Sequence, residues 1–442
     1  MKDKKIFFII GGVVLVVILI AVLVVSLGGK GKEQKPSEKI ELVWWQPFDD
    51  QETIAPLIEA YKKTHPNVTI TYVKKDYTNL EEYQNEVVNA LANNEGPDIW
   101  ALRNDWLPKH YKKLAPVPSK VVTAEDYKNK FFPIVSSEMT VNGQIYGIPS
   151  SLDTLVLLYN SKHFNEAEID EPPTTWTDFA KDVEKLTQRE GNTIVRAGVA
   201  CGTANNVSHF FDVLSLLMLQ NKTQMLAENK KEVYFNRFET REGKTYYPGT
   251  EALKFYTSFA LPKKTTYSWN ETMKNDREEF INNKVSIIFG YSQDIAEIKK
   301  RAPRLSLRVA PVPQVKEGDK IAYGSFWAQV VSRNSPHQEA AWDFLKLYLN
   351  KDIIYKYYDL KAEKGELTAA PLKEIAQNQS SKSDLGPIIK QADYATSWYQ
   401  GDADKMQKIF SQMIAAVIGG QSPQAAIDAA AKNANKMLDK LK

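Results

Sequence analysis

Five aspartates lie at or just beyond the ends of predicted strands, which is where α/β sheets place ligands. They are Asp49, Asp50, Asp98, Asp105 and Asp153. Two carboxylates on either side of a glycosidic bond would form a hydrolase site. The same groups could instead accept hydrogen bonds from sugar hydroxyls without any reaction. Sequence does not give their separation, so both interpretations stay open at this point.

Other catalytic and metal-binding patterns are absent from the sequence. The five histidines show no His-Glu-x-x-His motif and no pair at the spacing of a metal-binding helix. The single cysteine, Cys201, excludes a cysteine-based zinc site and an internal disulfide. Gly290-Tyr291-Ser292 lacks the second glycine of a nucleophile elbow, because Asp294 occupies that position. These absences predict no metal and no cofactor, and apart from the open question of the aspartates we predict no catalytic residue.

Strand-like and helix-like stretches alternate from residue 40 onward, and these elements must position the aspartates. A strand-like run at 41–45 precedes helix spacing at Ile54, Leu57, Ile58 and Tyr61. Strands at 68–73 and 98–102 follow, so the βαβ steps predict a mainly parallel sheet with helices on both faces. Later strands are predicted at 155–159, 285–289, 307–312 and 328–331, and later helices at 177–187, 340–349 and 405–418.

The chain has 442 residues, too many for one hydrophobic core, so two domains or more are expected. Of its 57 basic and 54 acidic residues, seven and three lie within residues 1–39. The remaining 50 basic and 51 acidic residues leave the body with a net charge of −1. A body so close to neutrality offers no electrostatic basis for binding nucleic acid.

The N-terminal segment has the features of a membrane anchor. Lysines precede an uncharged apolar run at Ile6–Leu27, about 22 residues or roughly 33 Å of helix, which spans a bilayer core. The run lacks an Ala-x-Ala cleavage pattern, which favours an uncleaved helix over a cleaved signal peptide. We predict a cytoplasmic head at 1–5, a transmembrane anchor at 6–27 and a flexible tether at 28–39.

Several segments of the body resemble, in order and spacing, a known family. They are Thr53–Tyr72, Gly96–Trp100, Tyr146–Asp153, Leu157–Asn160, Pro173–Phe179, Phe280–Gly290, Ala310–Pro313, Ala340–Leu345 and the terminal helix leading to Gly419–Pro423. Each is common among α/β proteins, but together they resemble the extracellular solute-binding proteins of ABC importers that bind sugars and oligosaccharides. Bacterial members often carry a lipid-modified cysteine, and this chain departs from them in having a hydrophobic anchor instead.

The resemblance implies an α/β, two-lobe periplasmic-binding-protein fold of type II with a central cleft. Lobe I would comprise residues 40–151 plus 316–350, and lobe II residues 152–315 plus 351–442. Opening and closing about a hinge would couple ligand capture to recognition by a partner. The resemblance also implies that the body lies on the extracytoplasmic side of the cell membrane, where the single-pass anchor holds it.

The first strand carries two adjacent tryptophans. Trp44 and Trp45 point to opposite faces of the sheet, because strand side chains alternate. One is therefore expected in the core, and we predict that Trp45 reaches the cleft together with Gln46. Sugar-binding pockets combine such aromatic walls with a few placed polar groups.

The resemblance adds further candidates for ligand contact. Asp105 belongs to a loop that resembles the family's contacting loop, with a helix N-cap as its alternative role. Asp153 matches the family's acidic cleft residue. For Tyr291 the alternative is a turn-stabilising role. For Trp327 and Trp398 the alternative is packing between the lobes. The predicted ligand-binding residues are Trp45, Gln46, Arg103, Asn104, Asp105, Asp153, Tyr291, Ser292, Trp327 and Trp398.

Three functions fit these observations. The leading one is a non-enzymatic binding protein that captures a sugar, or a related small solute, and delivers it to the permease subunits of an ABC transporter. Arg103 in the cleft would favour an acidic sugar. The alternatives are a membrane-anchored glycoside hydrolase that uses two of the aspartates, and a surface sensor that keeps the same two-lobe fold.

Overall fold

The computed structural model describes residues 38–191, 193–315, 320–381 and 384–441. The predicted cytoplasmic head, the anchor at 6–27 and the tether up to residue 37 lie outside the described residues. In the part of the chain that the structure describes, no helix has the length and apolar character needed to cross a membrane.

The body alternates strands and helices, and each strand or helix predicted from the sequence is present with bounds shifted by a few residues. The strands are β1 (Ile40–Gln46), β2 (Val68–Lys74), β3 (Ile99–Arg103), β4 (Thr140–Val141), β5 (Gln144–Ile145), β6 (Ile148–Pro149), β7 (Asp153–Thr154), β8 (Val156–Asn160), β9 (Gln188–Glu190), β10 (Thr193–Val199), β11 (Glu239–Arg241), β12 (Lys244–Tyr246), β13 (Val285–Gly290), β14 (Leu307–Pro311), β15 (Ala322–Ser325), β16 (Trp327–Val331) and β17 (Ala395–Thr396).

The α-helices of the described residues are α1 (Gln51–Thr64), α2 (Leu80–Ala92), α3 (Leu107–His110), α4 (Ala124–Lys130), α5 (Pro133–Glu138), α6 (Ser161–Glu166), α7 (Trp176–Leu186), α8 (Phe210–Gln220), α9 (Pro248–Ser258), α10 (Asp276–Ile281), α11 (Ser292–Arg301), α12 (Gln338–Leu345), α13 (Lys351–Glu363), α14 (Lys373–Gln379), α15 (Gly386–Gln391), α16 (Ala403–Ile418) and α17 (Pro423–Asp439). Short 3-10 turns occupy Asn104–Trp106, Tyr111–Lys113, Lys346–Leu349 and Ala392–Tyr394.

Sheet A has the strand order β2-β1-β3-β16-β6. β1 and β3 are parallel, with Trp44 opposite Ile99, as the βαβ steps predict. β16 runs antiparallel to both of its neighbours, β3 and β6. Sheet B has the order β14-β8-β13-β10-β9, and β8 is antiparallel to both β13 and β14. The prediction of a mainly parallel sheet is therefore wrong, because strands from distant parts of the chain enter both sheets in the opposite direction.

A third sheet, which we call the crossing sheet, has the order β17-β15-β7. β7 follows β6 of sheet A directly and precedes β8 of sheet B, while β15 directly precedes β16 of sheet A. The chain thus passes between the two sheets through these strands. Gly324 packs tightly here, because a Cβ on it would lie 3.2 Å from that of Ala395.

Helices bury their apolar faces against the sheets and against one another. Met406, Phe410, Met413 and Ile414 recur at helix spacing along α16 and are buried, so this apolar stripe belongs to the core. α16 packs on α17, and α13 packs on α1.

Candidate ligand-binding cavity

A cavity of about 470 Å³ lies where sheet A, the crossing sheet and the N-terminal end of α11 meet. Eight of the ten predicted ligand-binding residues line it, namely Gln46, Arg103, Asn104, Asp105, Asp153, Tyr291, Ser292 and Trp327. Its lining also includes residues that the sequence analysis did not select, among them Phe48, Asp49, Tyr77, His209, Asp212, Tyr323, Tyr357, Lys361, Glu366 and Gln407.

Two aromatic rings form an apolar part of the lining. Phe48 follows β1, and its ring meets that of Trp327 edge to face at 4.5 Å between centroids. Trp327 is the first residue of β16 and also contacts the buried Trp106 at 5.2 Å. Edge-to-face packing of this kind fixes the orientation of both rings. The cavity therefore has a rigid aromatic face before any ligand arrives.

Arg103 and Asp105 form a paired charge at the end of β3. The Arg103 Nε donates to Asp105 Oδ1 at 2.6 Å, and an Arg103 terminal nitrogen donates to Asp105 Oδ2 at 2.7 Å. A bidentate pair of this geometry engages both carboxylate oxygens. Asp105 binds Arg103 and does not cap a helix. Because Arg103 is paired with Asp105, its presence in the cavity gives little support to the expected preference for an acidic sugar.

A buried charge cluster surrounds Asp49, just after β1. Lys361 of α13 donates to Asp49 Oδ1, and Tyr357 donates to Asp49 Oδ2 at 2.7 Å. Lys361 also donates to Glu366 at 2.6 Å. Burial opposes the charge of Lys361, but the carboxylates of Asp49 and Glu366 outweigh it and raise its pKa. Each side chain of the cluster thus has a hydrogen-bond partner within the cluster.

Gln46 joins this cluster to the centre of sheet A. Its side-chain nitrogen donates to Asp49 at 2.9 Å, and its oxygen accepts from Gln329 at 3.0 Å. Gln329 in turn accepts from the indole nitrogen of Trp44 at 2.8 Å. Buried polar networks of this kind rigidify a site when every group has a partner. Gln46 lies at the cavity, but its side chain already bonds to the protein at both ends.

Asp153 lies in the crossing sheet and faces the start of α11. The backbone nitrogen of Ser292 donates to Asp153 Oδ2 at 2.9 Å, and the Ser292 hydroxyl donates to the same oxygen at 2.5 Å. Burial raises the pKa of Asp153 to about 7, although the Ser292 donors oppose this shift. The structure shows no cation within ion-pair distance of this carboxylate in the described residues. Folding therefore favours the protonated form of Asp153.

Tyr291 lines the cavity and hydrogen-bonds to two aspartates. Its hydroxyl donates to Asp212 Oδ2 at 3.0 Å, and its backbone nitrogen donates to Asp294 at 2.8 Å. His209 donates from Nε2 to Asp294 at 2.7 Å when protonated. Burial opposes the charge of His209, but Asp294 and Asp212 outweigh it and raise its pKa to about 9. Burial also raises the pKa of Asp212.

Asn104 links the cavity to the crossing sheet through Glu138. The Asn104 amide donates to Glu138 at 2.6 Å, and the Ser397 hydroxyl donates to the other oxygen of that carboxylate at 2.7 Å. The Asn104 side-chain oxygen accepts from the backbone nitrogen of Phe326 at 3.0 Å. Burial raises the pKa of Glu138 to about 7. Asn104 is thus positioned by Glu138 and by the Phe326 backbone, which come from two distant parts of the chain.

Trp45 lies outside the cavity lining, contrary to the prediction. The ammonium of Lys75 stands 3.5 Å from the centroid of its ring. Alternation along β1 does separate the two tryptophans, since Trp44 is fully buried and Trp45 is half-buried. The half-buried face, however, meets the neighbouring β2–α2 connection and not the cavity.

Trp398 also lies outside the lining and is 8% exposed. Its indole nitrogen donates to Ser215 at 3.1 Å, and its ring packs with those of Phe211 and Phe410. This position corrects the prediction that Trp398 caps the cleft. The ring packs against α8 and α16, which contribute Phe211 and Phe410.

The lining residues missed from the sequence have weak local signals. His209 and Asp212 are spaced i, i+3 at the start of α8, which places them on one helix face. That spacing was the available signal for them. Lys361 had none, because it meets Asp49 across 312 positions of sequence.

The chemistry of the lining is that of recognition by hydrogen bonds and ring contacts. Among residues 38–191, 193–315, 320–381 and 384–441, no cluster of three or more histidine, cysteine or acidic side chains could hold a metal ion. The lining offers carboxylates, amides, hydroxyls and aromatic faces in a single concave space. Such a combination orients a polar ligand that also has apolar faces.

The sequence of this chain is similar to those of known solute-binding proteins. A family model described as bacterial extracellular solute-binding protein matches residues 56–384. The maltotriose-binding protein of Pyrococcus abyssi is 22% identical over 356 residues, which cover 79% of this chain and 70% of that protein.

Solved structures share the fold at low sequence identity. The cyclic alpha-maltosyl-1,6-maltose binding protein from Arthrobacter globiformis superposes with a TM-score of 0.74 at 19% identity, covering 91% of this chain and 99% of that one. An ABC substrate-binding protein of Listeria monocytogenes in complex with cycloalternan gives a TM-score of 0.71 at 18% identity, covering 91% and 100%. The chain therefore has the mixed α/β fold of two-lobe sugar-binding proteins.

Proposed function

Because the chain belongs to the family of bacterial extracellular solute-binding proteins, we propose that it captures a sugar or oligosaccharide between two lobes and delivers it to an ABC transporter. The observation that carries this proposal is the composition of the cavity. Phe48 and Trp327 supply apolar ring faces next to the carboxylates of Asp153 and Asp212. A sugar presents C–H faces and hydroxyls side by side, so it matches both parts of this lining.

The two lobes are proposed to follow sheets A and B. On the boundaries given above, lobe I comprises residues 40–151 plus 316–350 and lobe II the remainder of the body. The packing of α13 on α1, with the bond from Lys361 to Asp49, favours extending lobe I to residue 363. The crossing sheet would then contain the hinge.

We further propose that the body works outside the cytoplasmic membrane, as the family description implies. The apolar run at Ile6–Leu27 would hold it there as a single-pass anchor, an inference that rests on the sequence alone. The permease subunits of an ABC transporter would receive the ligand from the closed form. A surface sensor with the same fold remains the alternative, and loss of sugar uptake in cells that lack the protein would distinguish transport from sensing.

The protein is proposed to bind without turnover. Of the five aspartates considered for a hydrolase, Asp105 pairs with Arg103 and Asp49 pairs with Lys361. Asp98 accepts from the Val43 backbone and the Ser335 hydroxyl, away from the cavity. Asp50 pairs with Lys74, so Asp153 is the one of the five that lines the cavity without a cation partner among the described residues. A general acid and base would need two such carboxylates. Release of a shorter saccharide by the wild type, abolished in Asp153→Asn, would support a hydrolase instead.

The test is thermal unfolding of the full chain in detergent against a panel of mono- and oligosaccharides, with peptides and phosphate esters as controls. A ligand at about 1,000 times its dissociation constant adds roughly 4 kcal/mol of stability, which raises the unfolding midpoint. A raised midpoint with one sugar class is the expected result. A response to a control compound alone would contradict the proposed ligand class and leave the fold assignment intact.

A further inference from the structure

More carboxylates than cations line the cavity. The cations are Arg103, Lys361 and His209, and the carboxylates are Asp49, Asp105, Asp153, Asp212 and Glu366. When all are charged, carboxylates exceed cations by two. The electrostatic potential inside such a concave, poorly solvated space follows its net charge.

Each cation of the lining is already bound to a carboxylate of the protein. Asp105 occupies two nitrogens of Arg103, and Asp49 and Glu366 hold Lys361 between them. Burial opposes the charge of Arg103, but Asp105, Asp212 and the nearby Asp404 outweigh it and raise its pKa. The third cation, His209, meets Asp294 at 2.7 Å. An anionic ligand would have to compete with these carboxylates.

Asp212 differs from the paired carboxylates. Its Oδ2 accepts from the Tyr291 hydroxyl, while the His209 Nδ1 stands 3.8 Å away from that atom. Its Oδ1 accepts no hydrogen bond from any residue that the structure describes, and its side chain, 20% exposed, lines the cavity. Asp212 therefore presents an unoccupied carboxylate oxygen to whatever occupies the space, and an ammonium placed there would favour its ionised form.

We propose that this cavity selects its saccharide by charge, preferring an amino-bearing sugar to its neutral counterpart and excluding the acidic one, with Asp212 as the acceptor. This inference rests on the sugar-binding function proposed above. An ammonium at Asp212 converts a hydrogen bond into a charge-assisted one, which is about twice as strong as a neutral bond. A carboxylate or phosphate at the same place meets like charge that the lining cations do not offset.

The test compares D-glucosamine and D-glucuronate with D-glucose, from which each differs at one position, C2 for the amine and C6 for the carboxylate. The same substitutions are made on any oligosaccharide that raises the unfolding midpoint. Titration calorimetry at pH 6.5, where both charged substituents are ionised, gives the three affinities for the full chain in detergent. We expect the amino form to bind at least about tenfold more tightly than the neutral form, and the acidic form at least about tenfold more weakly. Both ratios should shrink as salt increases.

Two cavity variants sharpen the test. Asp212→Asn should reduce the preference for the amino form to less than about threefold, and Asp212→Glu should restore it. Asp105→Asn releases Arg103 from its partner, so it should raise the affinity for the acidic form about tenfold. Glu59→Gln, on the exposed face of α1, removes one charge without touching the cavity and should change neither ratio.

The outcomes separate this inference from the function on which it rests. Equal affinity for the three forms, or tightest binding of the acidic form, would overturn charge selection and leave the binding function in place. A preference that survives Asp212→Asn unchanged would remove Asp212 as the acceptor. Failure of every sugar to bind would overturn both. If Asp212→Asn does not fold, the salt dependence of the wild-type ratios decides.

Discussion

Two walls of the cavity use their charged groups in different ways. The Asp49 wall, formed by Gln46, Asp49, Tyr357 and Lys361, pairs opposite charges and connects them by hydrogen bonds to sheet A. The Asp153 wall, formed by Asp153, His209, Asp212, Tyr291 and Ser292, contains two carboxylates whose pKa is raised by burial.

This difference in charge pairing indicates that the two walls have different roles, one in supporting the fold and the other in contacting the ligand. On the Asp49 wall, removal of one partner would leave a buried charge without compensation, so these residues matter for folding. On the Asp153 wall, burial has already made the carboxylates unfavourable as anions, so a ligand that supplies donors relieves this cost. We infer that the first wall holds the shape of the cavity and that the second senses ligand and pH.

The largest expected loss of stability comes from a substitution in the Asp49 wall. Lys361→Met should lower the free energy of unfolding by about 3–5 kcal/mol, because Asp49 would stay buried and unpaired. Denaturant unfolding measures this, and the double variant Asp49→Asn/Lys361→Met should recover much of the loss. The control is Lys351→Met, which breaks an exposed pair with Glu374 and should cost less than about 1 kcal/mol. Equal losses in the two single variants would contradict the structural role of this wall.

The aromatic face should contribute to affinity and little to folding. Phe48→Ala should weaken sugar binding by about 1.5–3 kcal/mol, roughly ten- to a hundredfold, because the ligand would lose an apolar surface to cover. Titration calorimetry checks this with whichever sugar raises the unfolding midpoint. Phe238→Ala is the matched control, since Phe238 is 60% exposed and does not line the cavity. A normal affinity in Phe48→Ala would exclude that ring from the contact.

On the Asp153 wall the expected effects depend on pH. The pKa of Asp153 is raised from 3.8 to about 7 in the folded chain, so folding favours its protonated form. The protonated carboxyl therefore contributes to the free energy of unfolding fully below about pH 3.8, and this contribution is lost as pH rises through about 7. Asp153→Asn should therefore gain stability relative to the wild type across this window, on the order of 1–2 kcal/mol. A stability difference that does not change with pH would contradict the raised pKa.

His209 should give the smallest effect, in a higher window. Its pKa is raised from 6.5 to about 9, so its favourable contribution is complete below about pH 6.5 and is lost as pH rises through 9. His209→Gln should be less stable than the wild type at pH 6 by about 1 kcal/mol, and equally stable near pH 10. Unfolding midpoints of both proteins at several pH values would show whether the two curves converge.

Sequence patterns predicted the elements better than the contacts between them. The apolar stripe of α16 was readable because its period is that of a helix, and Asp153 stood out by its place after a strand. Trp398 carried no such context, and only the structure shows the rings of Phe211 and Phe410 around it. Two strands of the crossing sheet, β7 and β17, were missed because they have two residues each, too few to show alternation.

The Asp49 wall shows the limit most clearly. Its partners come from the loop after β1 and from α13, and no local pattern connects such distant segments. Neither residue type nor spacing indicates which lysine will meet which aspartate. Only the topology, which brings α13 onto α1, makes that pair.

The position of β16 in the middle of sheet A has a consequence for how the chain emerges from the ribosome. Asn104, just after β3, bonds to Phe326 across 222 positions of sequence. At roughly 5–20 residues per second, synthesis leaves the edge of β3 without its partner for tens of seconds or less. Sheet B, from β8 to β14, is complete before β16 appears. The nascent chain should therefore finish its second sheet first, and chains that end before residue 327 should aggregate through the open edge of the first.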